Sequence, residues 1–216
     1  MAIAFTLNSC RNKGEKDIDQ GEIHYSIEYS GNVGSMKEVM PKNLVVSFKD
    51  NKILFEMSTF GNSGILNLTN PKDGIFDTYI SLMTIKYFYA GKEGEILPGF
   101  EAMKGLEINK TSKSAIICGF NCKSAEVTFP GDENKKYEIW YTNEIKIKNP
   151  NASTPFREID GVLMNFFFII GTSEMQFTAE TVYKKEIPDK TFDRRDKYVR
   201  ISREDIDKFI DKFVNM

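Results

Sequence analysis

The chain has 216 residues, with 29 Lys and Arg against 31 Asp and Glu, a formal charge of −2, and 41% hydrophobic residues. That balance excludes a globally basic nucleic-acid binder, which needs a cation excess to neutralise phosphates, and it excludes a wholly disordered chain. No run of 18 apolar residues occurs, so the sequence holds no membrane-spanning helix, and a single His makes histidine-based catalysis or a His-rich metal site a poor expectation.

Residues 1–9 are mostly apolar or small and end in Leu7-Asn8-Ser9 before Cys10, and Arg11 opens a charged stretch that runs to Gln20. A short apolar segment closing on Leu-x-small-Cys resembles a bacterial lipoprotein signal. The resemblance implies a signal-peptide remnant over 1–9, lipidation of Cys10, a tether over 10–20 and a single domain over 21–216. It places the chain in the cell envelope, anchored through lipid in the outer membrane, with the side it faces left open.

From residue 21 onward the dominant period is two. Ile23, Tyr25, Ile27 and Tyr29 alternate with His24, Ser26 and Glu28; Leu44, Val46 and Phe48 alternate with Val45, Ser47 and Lys49. Asp50-Asn51 reads as a tight turn into Ile53, Phe55 and Met57, and turns at 61–64 and 70–74 flank a strand at 65–68. Further strands are predicted over 81–89, 105–110, 115–118, 123–129, 136–142, 162–170 and 174–185, separated by Gly, Asn, Pro and Asp. Residues 98–104 read as a helical turn and 150–161 as a loop with Phe156 tucked inward. Ser202-Arg-Glu-Asp205 forms a capping box, and Ile206, Phe209, Ile210, Phe213 and Val214 follow at helical spacing. The expectation is a mainly β fold: one antiparallel, partly open barrel of about ten strands with a C-terminal α-helix.

Cys118 and Cys122 bracket Gly119-Phe-Asn121. A three-residue hairpin loop there would oppose the two sulfurs and allow a disulfide; free buried thiols are the competing reading.

The lipoprotein-like Cys10, the strand pair around Gly119-Phe-Asn-Cys122-Lys, the Glu138-Ile-Trp140-Tyr-Thr142 strand, and the tail from Ile187-Pro188-Asp189-Lys190 to Phe192, with Tyr198 and Ile201-Ser202, resemble a family of Gram-negative envelope lipoproteins similar to the LolA/LolB-like superfamily. The resemblance covers most of residues 21–201. It implies a half-open antiparallel barrel with helices on its concave face, and it carries over no catalytic residue, metal or cofactor.

The residues themselves point the same way. No nucleophile elbow, phosphate loop or dinucleotide fingerprint is present. His24 falls on the polar side of a strand. Arg194, Arg195, Lys197 and Arg200 form a basic cluster, read as a solvated segment or a partner contact. Seventeen Phe, nine Tyr and nine Met are the unusual feature. Tyr25, Tyr29, Phe48, Phe55, Met57, Tyr87, Phe166, Phe168, Met175 and Phe177 share the apolar strand faces. They form either a filled core or a hydrophobic pocket for a lipid or acyl chain. The expected function is hydrophobic-ligand binding by a membrane-anchored, non-enzymatic protein that binds no nucleic acid. The alternative is an envelope interaction scaffold with a solid core. The sequence leaves the oligomeric state open.

Overall fold

Strict alternation organises the first strand, β1 (Gln20–Ser30), whose odd-numbered residues Ile23, Tyr25 and Ile27 are buried while the even-numbered ones meet the other side. The structure, a computed structural model, describes residues 18–30, 40–59 and 63–214. Cys10, the tether up to residue 17 and the expected turn at Gly61 and Asn62 lie outside the described residues.

The next strands form a meander: β2 (Asn43–Lys49), β3 (Lys52–Ser58), β4 (Gly64–Asn70), β5 (Ile75–Leu82) and β6 (Ile85–Ala90). A second meander comprises β7 (Glu107–Ile117), β8 (Phe120–Phe129), β9 (Asp132–Thr142), β10 (Val162–Ile170) and β11 (Ser173–Lys184). β1 pairs with β2 on one side and β11 on the other, and so welds the two meanders into one sheet. A two-residue strand, β12 (Val199–Arg200), adds in parallel to β6. Among the described residues the sheet therefore has twelve strands in the order β12-β6-β5-β4-β3-β2-β1-β11-β10-β9-β8-β7. Its ends, β12 and β7, do not pair, so the sheet is open.

The count is twelve strands among the described residues rather than the expected ten or so, and three further expectations from sequence need correction. The single strand predicted over 81–89 is a hairpin: β5 begins at Ile75, and the chain turns at Met83, whose φ is 53°, before β6. The two strands predicted over 105–110 and 115–118 are one, β7, interrupted by a bulge between Lys110 and Ser114. Finally, the β7–β8 hairpin turns on two residues, Cys118 and Gly119, at φ 50° and 76°. Both central residues at positive φ mark the turn type whose twist suits a tight hairpin. The register opposes Cys122 to Ala115 rather than to Cys118, and both thiols are free.

The concave face carries the main core. The connection 91–106 runs from the β6 edge towards the β7 edge and buries Leu97, Phe100 and Met103, the last in a short 3-10 turn (Glu101–Met103). Loop 143–161 buries Ile145, Ile147, Phe156 and Ile159. Helix α1 (Arg203–Val214) is opened by Ser202, whose hydroxyl accepts the Asp205 N–H at 3.1 Å. It buries Ile206 and Ile210 and sets Phe209 edge-on to Tyr87 at 5.6 Å. The Phe213 and Val214 side chains expected on the same stripe lie outside what is described.

A second, smaller core sits on the opposite, convex face. There residues 187–198 cross β2–β6, and Ile187 and Phe192 bury against Leu54, Leu68, Ile75 and Tyr79. β5 is consequently covered on both faces, and residues 75–80 are all buried, Asp77 included. Arg194 meets the Asp77 carboxylate with two nitrogens, Nε at 2.7 Å and Nη2 at 3.1 Å. The tail then rounds the sheet edge as β12 and returns to the concave side as α1, forming a strap.

Candidate functional site

The concave floor gathers most of the aromatic residues singled out from sequence. Phe166 and Phe177 stack at 4.8 Å, Phe168 stands edge-on to Phe177 at 5.3 Å, and Tyr25 edge-on to Phe166 at 5.6 Å. Their order follows from register, since Phe166 lies opposite Phe177 and Phe168 opposite Met175. Tyr25 donates its hydroxyl proton to the Leu163 carbonyl at 2.8 Å, and burial drives its ionisation far above the ordinary tyrosine range. Phe48 and Met175 are buried in the same core. Tyr29 instead reaches the Pro41 carbonyl at 2.7 Å, and Tyr87 lies under α1.

Two small voids remain inside this floor, each of about 20 Å³, enough for roughly one water. Tyr25, Phe166 and Phe168 border the first; Leu44, Phe177 and Ile210 border the second. A larger cleft of about 230 Å³ opens where the ends of β3–β5 meet residues 93–97 and 148–154. Ile53, Phe76 and Leu97 supply apolar walls, and Glu93 and Lys148 stand at its rim. Phe55, half-buried, lines the cleft and both voids.

The loops over this cleft are tied down by polar contacts. Leu97 N–H donates to the Ser153 carbonyl at 2.9 Å, which joins the two loops. Asn151 donates from Nδ2 to the carbonyls of Ile159 (2.7 Å) and Gly161 (2.8 Å). Gly161 has no space for a side chain: a Cβ there would lie 2.7 Å from the Tyr141 ring and 2.8 Å from the Thr142 carbonyl oxygen. Ser153 is the exception. It is 5% exposed and lines the cleft, and its Oγ has no hydrogen-bond partner among the described residues.

On the other side of the mouth, Arg203 links α1 to the 91–106 connection. Its guanidinium donates to Glu95 Oε1 and to the Ile96 carbonyl, each at 2.8 Å, and to Asp207 at 2.7 Å. Burial alone would raise the Glu95 carboxyl. Hydrogen bonds from Tyr89, the Lys92 N–H and Arg203 outweigh it and hold the group below its usual value of 4.5. Asp207 also accepts the Gly99 N–H at 2.8 Å.

The remaining candidates take structural positions. Burial pushes both cysteine thiols up to about 11, so they stay protonated and unreactive at neutral pH. Cys118 donates to the Ala179 carbonyl at 3.1 Å. His24, partly exposed, lies 3.1 Å from Glu22. Arg194, read from sequence as part of a solvated cluster, is instead the partner of the buried Asp77. Among the described residues no group of three or more His, Cys, Asp or Glu could hold a metal ion. A second cavity, of about 280 Å³ and open to solvent, lies towards the convex side beside Tyr79, Lys86 and Tyr198.

Of the cleft residues, sequence reasoning picked out only Phe55. Ser153, Lys148 and Leu97 lie on irregular connections, where neither period two nor helical spacing marks an inward residue. The only signal was the Pro-flanked loop around the inward Phe156.

No protein-family profile matches the sequence, and no curated protein does. Solved structures are similar to the chain at low sequence identity. PNGF-II is 16% identical with a TM-score of 0.55; the alignment covers 90% of this chain and 33% of that one, so the chain spans about a third of that protein's length. A LolA superfamily protein from Nitrosomonas europaea is 11% identical, with a TM-score of 0.36 over 82% of this chain and 90% of its own. The Mycobacterium tuberculosis lipoprotein LppX is 11% identical, with a TM-score of 0.35 over 78% and 89%. The likeness to PNGF-II is one of fold alone.

Proposed function

We propose that this protein is an envelope lipoprotein, anchored through Cys10, that holds a hydrophobic ligand, a lipid or acyl chain, against the concave face of its open sheet. One observation carries the reading: the Phe55 side chain borders the outer cleft and both inner voids. Movement of that single half-buried ring would join the cleft to both voids. Six of the ten aromatic and Met residues named from sequence (Tyr25, Phe55, Met57, Phe166, Phe168 and Phe177) line the two voids. Apolar walls with a few polar groups at the entrance are the ordinary composition of a small-molecule site.

Native mass spectrometry of the full chain carrying Cys10→Ser, purified without detergent, tests this. Lipid adducts that vanish on denaturation are expected. A clean protein mass, together with no thermal shift on adding acyl-chain compounds, would overturn it. The scaffold reading is favoured by one feature, the exposed Met83 (75%) and Ile85 (41%) at the β5–β6 tip. Loss of a crosslinked envelope partner on Met83→Ser would support that reading instead.

A further inference from the structure

The hydroxyl of Ser153 is a buried polar group with no partner among the described residues, on the wall of the cleft that leads to the apolar floor. Folded proteins pair nearly all such groups, because an unpaired one forfeits its hydration without return. The neighbouring polar groups of the same loop are used: Asn151 Nδ2 bonds twice, and Thr154 Oγ1 both donates to the Asn151 carbonyl and accepts the Phe156 N–H. Ser153 is thus singled out within a loop that is otherwise closed.

Charge and size narrow what would meet it. The rim of the cleft has one cation, Lys148, and one anion, Glu93. Glu95 and Arg203 close by are committed to each other. The rim therefore offers no net field to hold a singly charged head, since a carboxylate or an ammonium would meet one like and one opposite charge. Behind the rim the walls are Ile53, Phe76 and Leu97, where a charged group would be stripped of water. A hydroxyl both donates and accepts, and so does Ser153 Oγ. The cleft of about 230 Å³ lies below the roughly 300–1,000 Å³ of ordinary ligand pockets, and each void past Phe55 adds only about 20 Å³. That path has no room for two chains side by side, and a single slim chain enters it only as the Phe55 ring moves.

We infer that the ligand is a single-chain amphiphile with an uncharged, hydroxyl-bearing head, of the monoacylglycerol class, whose head hydrogen-bonds to Ser153 Oγ while its tail passes Phe55 onto the aromatic floor. The inference rests on the ligand-binding reading above and adds the head-group chemistry and the residue that reads it.

Calorimetric titration of the detergent-free Cys10→Ser chain with three ten-carbon amphiphiles, decanoylglycerol, decanoate and decylphosphocholine, each below its micellar concentration, tests it. Decanoylglycerol should bind one-to-one and at least tenfold more tightly than the two charged heads. Ser153→Ala should weaken decanoylglycerol by about tenfold, the effect of one lost hydrogen bond. It should leave the melting temperature unchanged or raised, since the hydroxyl has no partner in the free protein to lose. Equal binding of the three heads, or undiminished binding to Ser153→Ala, overturns the head-group assignment and leaves ligand binding standing. No binding of any of the three overturns both. The head-group comparison needs no variant, so it stands even if a substitution disturbs the loop.

Discussion

The two faces of β2–β6 are covered by different means. On the concave side the 91–106 connection, loop 143–161 and α1 lie over a wide aromatic floor, and the fit is incomplete: a cleft, two voids and an unpaired Ser153 hydroxyl remain. On the convex side a stretch of about twelve residues covers a smaller core and is fixed largely by charge, with a solvent-open cavity of about 280 Å³ beside Tyr198 and an unpaired buried Asn70 Oδ1 among the described residues. Asp189 meets Lys49 and Lys52 at 3.2 and 2.7 Å, Arg194 clasps Asp77, and Tyr79 donates to the same carboxylate at 2.8 Å. The difference teaches which face is held shut. A cover fixed by ion pairs to a buried carboxylate has little freedom, whereas on the concave side the unfilled space gathers around the half-buried Phe55 ring, which is the group free to move.

The largest effect should come from the convex core. Phe192 is wholly buried, and Phe192→Ala should cost about 3–5 kcal/mol in denaturant unfolding. A loss below about 1 kcal/mol would mean that the strap does not hold the sheet. Next, Arg194→Ala should cost about 2–4 kcal/mol, because it leaves the Asp77 carboxylate buried without its cation. Restoring stability with a second substitution, Asp77→Asn, would confirm that the unpaired charge is the cause. Phe55→Ala should cost less, about 1–2 kcal/mol, since the half-buried ring already faces empty space on three sides. A cost equal to that of Phe192→Ala would erase the contrast between the faces.

The smallest effect is a pH dependence at the mouth. Glu95 has a depressed folded-state value, so its contribution is present above the unfolded value near 4.5 and is lost as the pH falls through the lower folded value. Thermal melts should show Glu95→Gln less stable than the parent at pH 6, with the gap closing towards pH 3. A gap of constant size would show that the Arg203–Glu95 contact contributes nothing through ionisation.

Much of this architecture could be read from residue order. Ile23-x-Tyr25-x-Ile27 and Leu44-x-Val46-x-Phe48 report a strand half-buried on one face, and Ser202 with Ile206 and Ile210 reports a capped helix lying on a core. Residues 75–80 of β5 show no polar–apolar alternation because they are buried on both faces. The polar residues inside it are accounted for only in the fold: Arg194, supplied from far along the chain, pairs Asp77, and Thr78 donates to Asn67 Oδ1. The β7 bulge between Lys110 and Ser114 breaks the alternation and reads as a strand end. The cleft was the least legible part, since Leu97, Lys148 and Ser153 are brought together by loop closure, which leaves no periodic trace.

The strap has a consequence in time. Asp77 and Arg194 are 117 residues apart, so a ribosome adding about 5–20 residues per second makes the carboxylate roughly 6–23 s before its cation. Throughout that interval β6 presents an unpaired strand edge and the convex side of β5 an uncovered apolar surface, the conditions under which nascent sheets pair with the wrong chain. Chain release, rather than strand formation, then sets when the molecule becomes safe from aggregation, and losing the last thirty residues would prolong that exposure indefinitely.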